Sequence, residues 1–179
     1  MKADLPTKES PYRVTYAVHR LLDSNPSSTE ATTQSGEQVE QSTEFIGFLS
    51  LKSVSAKGDA QRRLALPGHL NLPATAATTT LTVEVAYAYL PKAWGKGYAT
   101  ESVKAAVKAC QATRAFWAPY AKLYVRAIII ADNPASLRVM VKTGIPKKGI
   151  YEWTGEAFFH GGEWRDRASL HIYGMHLFE

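Results

Sequence analysis

A single cysteine, Cys110, is all that the 179 residues contain, so no disulfide can form within the chain. Such sparing use of cysteine fits a reducing compartment. No stretch approaches the roughly 18 consecutive apolar residues that a membrane-spanning helix needs. The N-terminal residues Met1 to Pro6 lack the apolar run of a secretory signal. A soluble, cytoplasmic protein without a membrane partner is the expectation. Runs of like charge are also missing. Arg62-Arg63 and Lys147-Lys148 are isolated pairs of a kind usually just solvated. The formal net charge of +5 and pI of about 9.3 therefore favour anionic partners in general without marking a nucleic-acid surface. No segment repeats, and no Cys/His cluster predicts a metal.

What is present is ordinary for one globular domain: 45% hydrophobic and 21% charged residues. A chain of this length buries a sizeable core without metal or disulfide staples. Tyr12 to Leu22 is rich in Val, Tyr and Leu and predicts a strand, as does Glu44 to Val54. The two are expected to be antiparallel neighbours. Between them, residues 23–43 are Ser, Thr, Glu, Gln and Asn with little to bury, which predicts a flexible insertion. Residues 56–80 predict a second insertion, in which Ala60 to Leu66 has the composition of a short helical turn. Leu81 to Leu90 alternates, with Val83, Val85, Tyr87 and Tyr89 on one side and Glu84, Ala86 and Ala88 on the other.

Tyr98 to about Thr113 changes to helical spacing, with Val103, Ala106, Val107 and Cys110 on one face. Lys122 to Ile130 is β-branched and nearly all apolar, as expected of a central strand. Pro134 to Thr143 predicts a second helix with Leu137, Met140 and Val141 as its apolar face and Gly144 beyond its end. Ile150 to Thr154 and Ala168 to Phe178 read as closing strands around the turn His160-Gly161-Gly162. The predicted class is α/β: a mixed, mostly antiparallel sheet with helices packed on it and one β-α-β crossover, in a single domain spanning 1–179.

Between the third strand and the first helix stands Pro91-Lys92-Ala93-Trp94-Gly95-Lys96-Gly97-Tyr98. A glycine turn opening a helix makes an anion site, because the first N–H groups lack intrahelical partners and the macrodipole adds partial positive charge. Gly95 and Gly97 allow positive φ and close backbone approach. Lys92 and Lys96 add charge, although lysines on a turn are often merely solvated. The P-loop spacing is not met, and a G-x-G-x-x-G fingerprint would need glycine where Thr100 stands. A plain structural turn is the competing reading.

The spacing from Lys92 to Gly97 is similar to the pyrophosphate loop of the GNAT superfamily, Arg/Gln-x-x-Gly-x-Gly/Ala, with Lys92 replacing Arg or Gln. Trp94 to Glu101 (WGKGYATE) and Asn133 to Gly144 (NPASLRVMVKTG) resemble the corresponding segments of the branch that includes ribosomal-protein-alanine acetyltransferases. The resemblance covers about Tyr12 to Phe178 and implies an acetyl-CoA-dependent N-acetyltransferase acting on a primary amine of a peptide N-terminus or small molecule.

It further implies pyrophosphate contacts from backbone N–H groups of Trp94, Gly95, Lys96, Gly97, Tyr98 and Ala99. Pantetheine pairing falls to the end of the third strand at Leu90, a contact near the thiol to Asn133, and support of that helix to Ser136. A helix cap is the competing role for Asn133. Glu84, the acid inside the strand beside the cofactor gap, is the candidate base. Met140 stands where many relatives place a tyrosine acid and has no proton to give. Tyr87, Tyr89, His160 and Asp166 are further candidates on the substrate side. The family's N-terminal strand and two helices are expected to be missing, since only Met1 to Pro11 precede Tyr12. That departure raises an alternative, a catalytically weak coenzyme A-binding module.

Overall fold

A computed structural model describes residues 12–22, 42–54, 66–67, 69–70, 79–160 and 162–179. In chain order its elements are β1 (Arg13–Leu21), β2 (Thr43–Ser53), β3 (Thr80–Tyr89), α1 (Tyr98–Ala112), β4 (Lys122–Ile130), α2 (Pro134–Thr143), β5 (Lys147–His160) and β6 (Glu163–Phe178). Short 3-10 turns at Pro91–Ala93 and Arg114–Trp117 flank α1. The six strands form one sheet in the order β1-β2-β3-β4-β6-β5. The β3–β4 pair is parallel and the other four neighbour pairs are antiparallel. The expected mixed sheet with a single β-α-β crossover is what the chain forms.

Period-two patterning builds the sheet. On β3, Val83 and Val85 are buried while Ala86 and Ala88 are exposed. On β4, Leu123, Val125 and Ala127 point into the same core as Val103, Cys110 and Met140 from the helices. Both helices therefore pack on one face of the sheet. Two details depart from the sequence reading. Val141 is 73% exposed, because the buried edge of α2 runs through Met140 and the partly buried Leu137 and Val139 instead. The closing strands are also longer than their apolar cores, since β5 and β6 stay paired out to His160 and Glu163.

The opposite face has its own small cluster of Leu66, Leu70 and Ile172, with Ile128, Tyr151 and Leu170 around it. Gly149 is required there, because a Cβ on it would stand 2.5 Å from a Leu70 methyl. Most of the two expected insertions, the turn from Ala60, and residues 1–11, on which the missing N-terminal unit was inferred, lie outside the described residues. Leu66 and Leu70 show that the second of these segments nonetheless supplies core.

Candidate active site

The parallel ladder between β3 and β4 runs only from Thr80–Lys122 to Glu84–Arg126. Beyond that fork β3 continues to Tyr89 and β4 to Ile130, each still paired on its outer side, to β2 and β6. The two central strands therefore diverge, and the gap between them opens at the carboxyl end of the parallel pair. Both helices begin at that end, since each follows one of the diverging strands.

The two helix starts are built differently. Asn133 caps α2: its Oδ1 accepts from the Ser136 N–H at 3.0 Å, the capping role weighed for it from sequence. Among the described residues no side chain caps α1. Its N-cap is Gly97 at φ +87°, and Gly95 sits at φ +73°. A Cβ at either glycine would project into open space, so what demands glycine in the protein itself is the backbone conformation. The result is an open concave turn with first-turn N–H groups left for an external acceptor. This arrangement fits an anionic group such as a pyrophosphate.

The 3-10 turn sets the loop's angle, with the Ala93 N–H donating to Leu90 O at 2.8 Å and the Trp94 N–H to Pro91 O at 3.1 Å. The exposed Trp94 indole donates from Nε1 to Tyr89 O at 2.8 Å, pinning the loop to the end of β3. Leu90 donates its N–H to Ile46 O on β2, the side away from the gap. Tyr98 and Ala99 are partly buried, and Lys96 is exposed. Lys92 is ion-paired with Glu44, which also takes Arg20 Nε at 2.5 Å. Lys92 thus stands at the loop with its charge already partnered. Hydrogen bonds from Lys92 and then Arg20 hold the Glu44 carboxyl below the usual carboxylate range. The Arg20 guanidinium, raised chiefly by Glu44, also lies beside Tyr98 at the start of α1.

Glu84 sits at the fork itself. Its Oε2 accepts from Arg126 Nη2 at 2.9 Å, with the two side chains only 13% and 7% exposed. Arg126 was passed over in the sequence because it interrupts an apolar strand. A guanidinium in such a run is itself the signal of a buried acidic partner. Along the other face of β3, Tyr87 and Tyr89 reach toward the first turns of the two helices, with ring centroids 6.1 Å apart. The Tyr87 hydroxyl lies beside Ser136 of α2 and the Tyr89 hydroxyl beside Ser102 of α1. Both oxygens are buried, and neither makes a well-aligned hydrogen bond among the described residues. Burial raises both above the usual tyrosine range.

Asp166 is exposed beside Arg167, on the hairpin and not at the gap; the His160 side chain lies outside the described residues. Ser102, Arg20 and Glu44 had no motif to reveal them. Among the described residues there is no group of three or more potential metal ligands, and no helix is long and apolar enough to cross a membrane.

A split parallel pair with an uncapped glycine turn at its mouth coincides with a match to the acetyltransferase (GNAT) domain over residues 9–145. The chain belongs to the GNAT acetyltransferase family. Solved structures similar to this GNAT domain include a GNAT-family acetyltransferase from Bacillus anthracis, 21% identical over 74% of this chain and 59% of that one, TM-score 0.44. A phosphinothricin acetyltransferase from Sinorhizobium meliloti in complex with acetyl-CoA is 20% identical over 75% of this chain and 56% of its own, TM-score 0.47. A ribosomal-protein-S5-alanine acetyltransferase from Vibrio fischeri is 16% identical over 72% and 54%, TM-score 0.44. In each case this chain spans less than two thirds of the other protein. No curated protein sequence matches it.

Proposed function

We propose that this GNAT domain is a cytoplasmic N-acetyltransferase that moves an acetyl group from acetyl-CoA to a primary amine, on a protein N-terminus or a small molecule. The observation that carries the reading is the gap between β3 and β4 with an uncapped, glycine-opened helix at its mouth. When bound, acetyl-CoA supplies an activated acetyl thioester. Backbone N–H groups from Gly95 to Ala99 hold the pyrophosphate, the Trp94 N–H being taken by Pro91 O, and Lys96 adds positive charge beside it while Lys92 stays paired with Glu44. The edge of β3 that faces the gap between Val85 and Tyr89 pairs with the pantetheine amides, Leu90 itself being turned to β2. Asn133, through the start of α2, lies toward the thiol end, and Ser136 supports that turn.

Glu84, on the face away from the helices, takes a proton from the acceptor's ammonium so that the neutral amine can attack, and Arg126 fixes the orientation of its carboxylate. The branch resembling ribosomal-protein-alanine acetyltransferases is supported by the WGKGYATE and NPASLRVMVKTG segments. Calorimetry with acetyl-CoA, followed by thiol-release assays over a panel of peptide and small-molecule amines, tests the reading. Micromolar binding with turnover on one amine class is expected. No binding at millimolar acetyl-CoA would overturn it. Binding without turnover on any amine would leave a coenzyme A-binding module in place of an enzyme.

A further inference from the structure

The glycine turn is held by more than its own backbone. β2 and β3 pair in register as far as Gly47–Tyr89, and the Leu90 N–H adds one more bond, to Ile46 O. Pro91 has no N–H with which to continue the ladder. Beyond it the register passes to side chains: Lys92 falls opposite Glu44 by the same count and forms an ion pair with its Oε1. On the other side of β2, Arg20 is the cross-strand partner of Glu44, and its Nε meets Oε2 at 2.5 Å. That placement depends on the β1–β2 register shift after Val18, which pairs His19 with Phe45 and not with Ile46. Without the shift Arg20 would stand opposite Phe45. Bulges that re-aim a side chain in this way recur beside functional sites.

Each Glu44 oxygen thus takes one cation, and the two cations lead to opposite ends of the turn. Lys92 precedes Gly95. Arg20 lies beside Tyr98, the residue that opens α1 after Gly97. Resting on the acetyl-transfer reading, we infer that Glu44 is a positioning residue for coenzyme A: by clasping Lys92 and Arg20 it holds both ends of the glycine turn in the shape that receives the pyrophosphate. A lone exposed ion pair contributes little, whereas a charge network between strands already in register holds a geometry. Affinity gains because less ordering remains to be done when the anion arrives. Two cations sharing one carboxylate also leave the triad net positive, so it does not repel the ligand it prepares for.

A simple charge effect predicts the reverse. Removing a carboxylate near a bound pyrophosphate tightens binding if charge alone matters, and loosens it if the carboxylate holds the turn. The test measures acetyl-CoA by calorimetry on the full chain, and acetyl-pantetheine, which lacks the pyrophosphate, by displacement at millimolar concentration. In Glu44→Gln the Kd for acetyl-CoA is expected to rise about threefold to thirtyfold, with that for acetyl-pantetheine unchanged. Where an acceptor turns over, KM for acetyl-CoA rises with it and kcat stays within about twofold. Glu44→Asp keeps the charge on an arm too short to span both cations and is expected to weaken acetyl-CoA in the same direction, so it serves if Glu44→Gln folds poorly. Unchanged or tighter acetyl-CoA binding in either variant overturns the inference and leaves cofactor binding standing. Equal weakening toward both compounds also overturns it, since the loss then belongs to the fold. If the parent binds no acetyl-CoA, the acetyl-transfer reading fails and takes this inference with it.

Discussion

Gly97 holds φ at +87° with open space where a side chain would begin. A β-branched residue there meets backbone strain of about 1–2 kcal/mol and puts a methyl group where an anion would lie. Gly97→Val is expected to lower the thermal midpoint modestly and to weaken acetyl-CoA binding by more than tenfold in calorimetry. Unchanged affinity would return the turn to a purely structural role. Glu84 poses a different question, because its partner is buried with it. Glu84→Gln keeps an acceptor for Arg126, so the melting temperature holds while kcat/KM falls about a hundredfold or more. Glu84→Ala removes that acceptor from a buried guanidinium and costs about 3–5 kcal/mol in denaturant titration. Loss of activity only in the alanine variant would make the pair architectural.

At the scale of elements, α2 is closed by Asn133 and α1 is left open by Gly97. Asn133→Ala is expected to cost about 1 kcal/mol in urea unfolding, a loss with no counterpart at α1, which has no side-chain cap to remove. Strands and helices with a clean period were legible from residues alone. The alternation from Val83 to Tyr89 and the apolar spacing from Val103 to Cys110 each named the face that is buried. The outer half of the β5–β6 hairpin was not legible, because Glu163, Arg165, Asp166 and Arg167 give no apolar period. Ladder hydrogen bonds form regardless of what the side chains prefer. Arg165 then reaches Asp132 in the turn before α2, tying the hairpin to the helix start. Motif spacing located the glycine turn and the α2 segment. It could not foresee that Glu44, distant in sequence, meets Lys92, or that Tyr87 and Tyr89 aim at Ser136 and Ser102, because those meetings depend on sheet register.

For the molecule as a whole, two groups report on integrity. The Cys110 thiol is buried between α1 and the sheet, and burial pushes it up to about 11. It is expected to resist a thiol reagent at pH 8 in the folded protein and to react as one equivalent once denatured, since the thiolate is the reactive form. Fast labelling of the native state would mean that α1 opens readily. The Glu44 cluster joins β1, β2 and the glycine turn. Its carboxyl is lowered by Lys92 and Arg20, so its contribution is present above the unfolded value of 4.5 and fades as pH falls through the depressed folded value. The melting difference between the parent and Glu44→Gln is expected at neutral pH and should vanish in strong acid.

The fork at Glu84–Arg126 also leaves a seam in the middle of the sheet, where inward-facing peptide groups of Val85–Tyr89 have no strand opposite them among the described residues. Most sheets keep their unpaired edges at the rim, where charge or covering segments protect them. Here the edge is internal, and whatever fills it becomes a temporary seventh strand. Ligand binding should therefore register as slowed amide hydrogen exchange along Val85–Tyr89, and as stiffening that passes from β3 to β4 across a boundary the bare chain leaves unstitched.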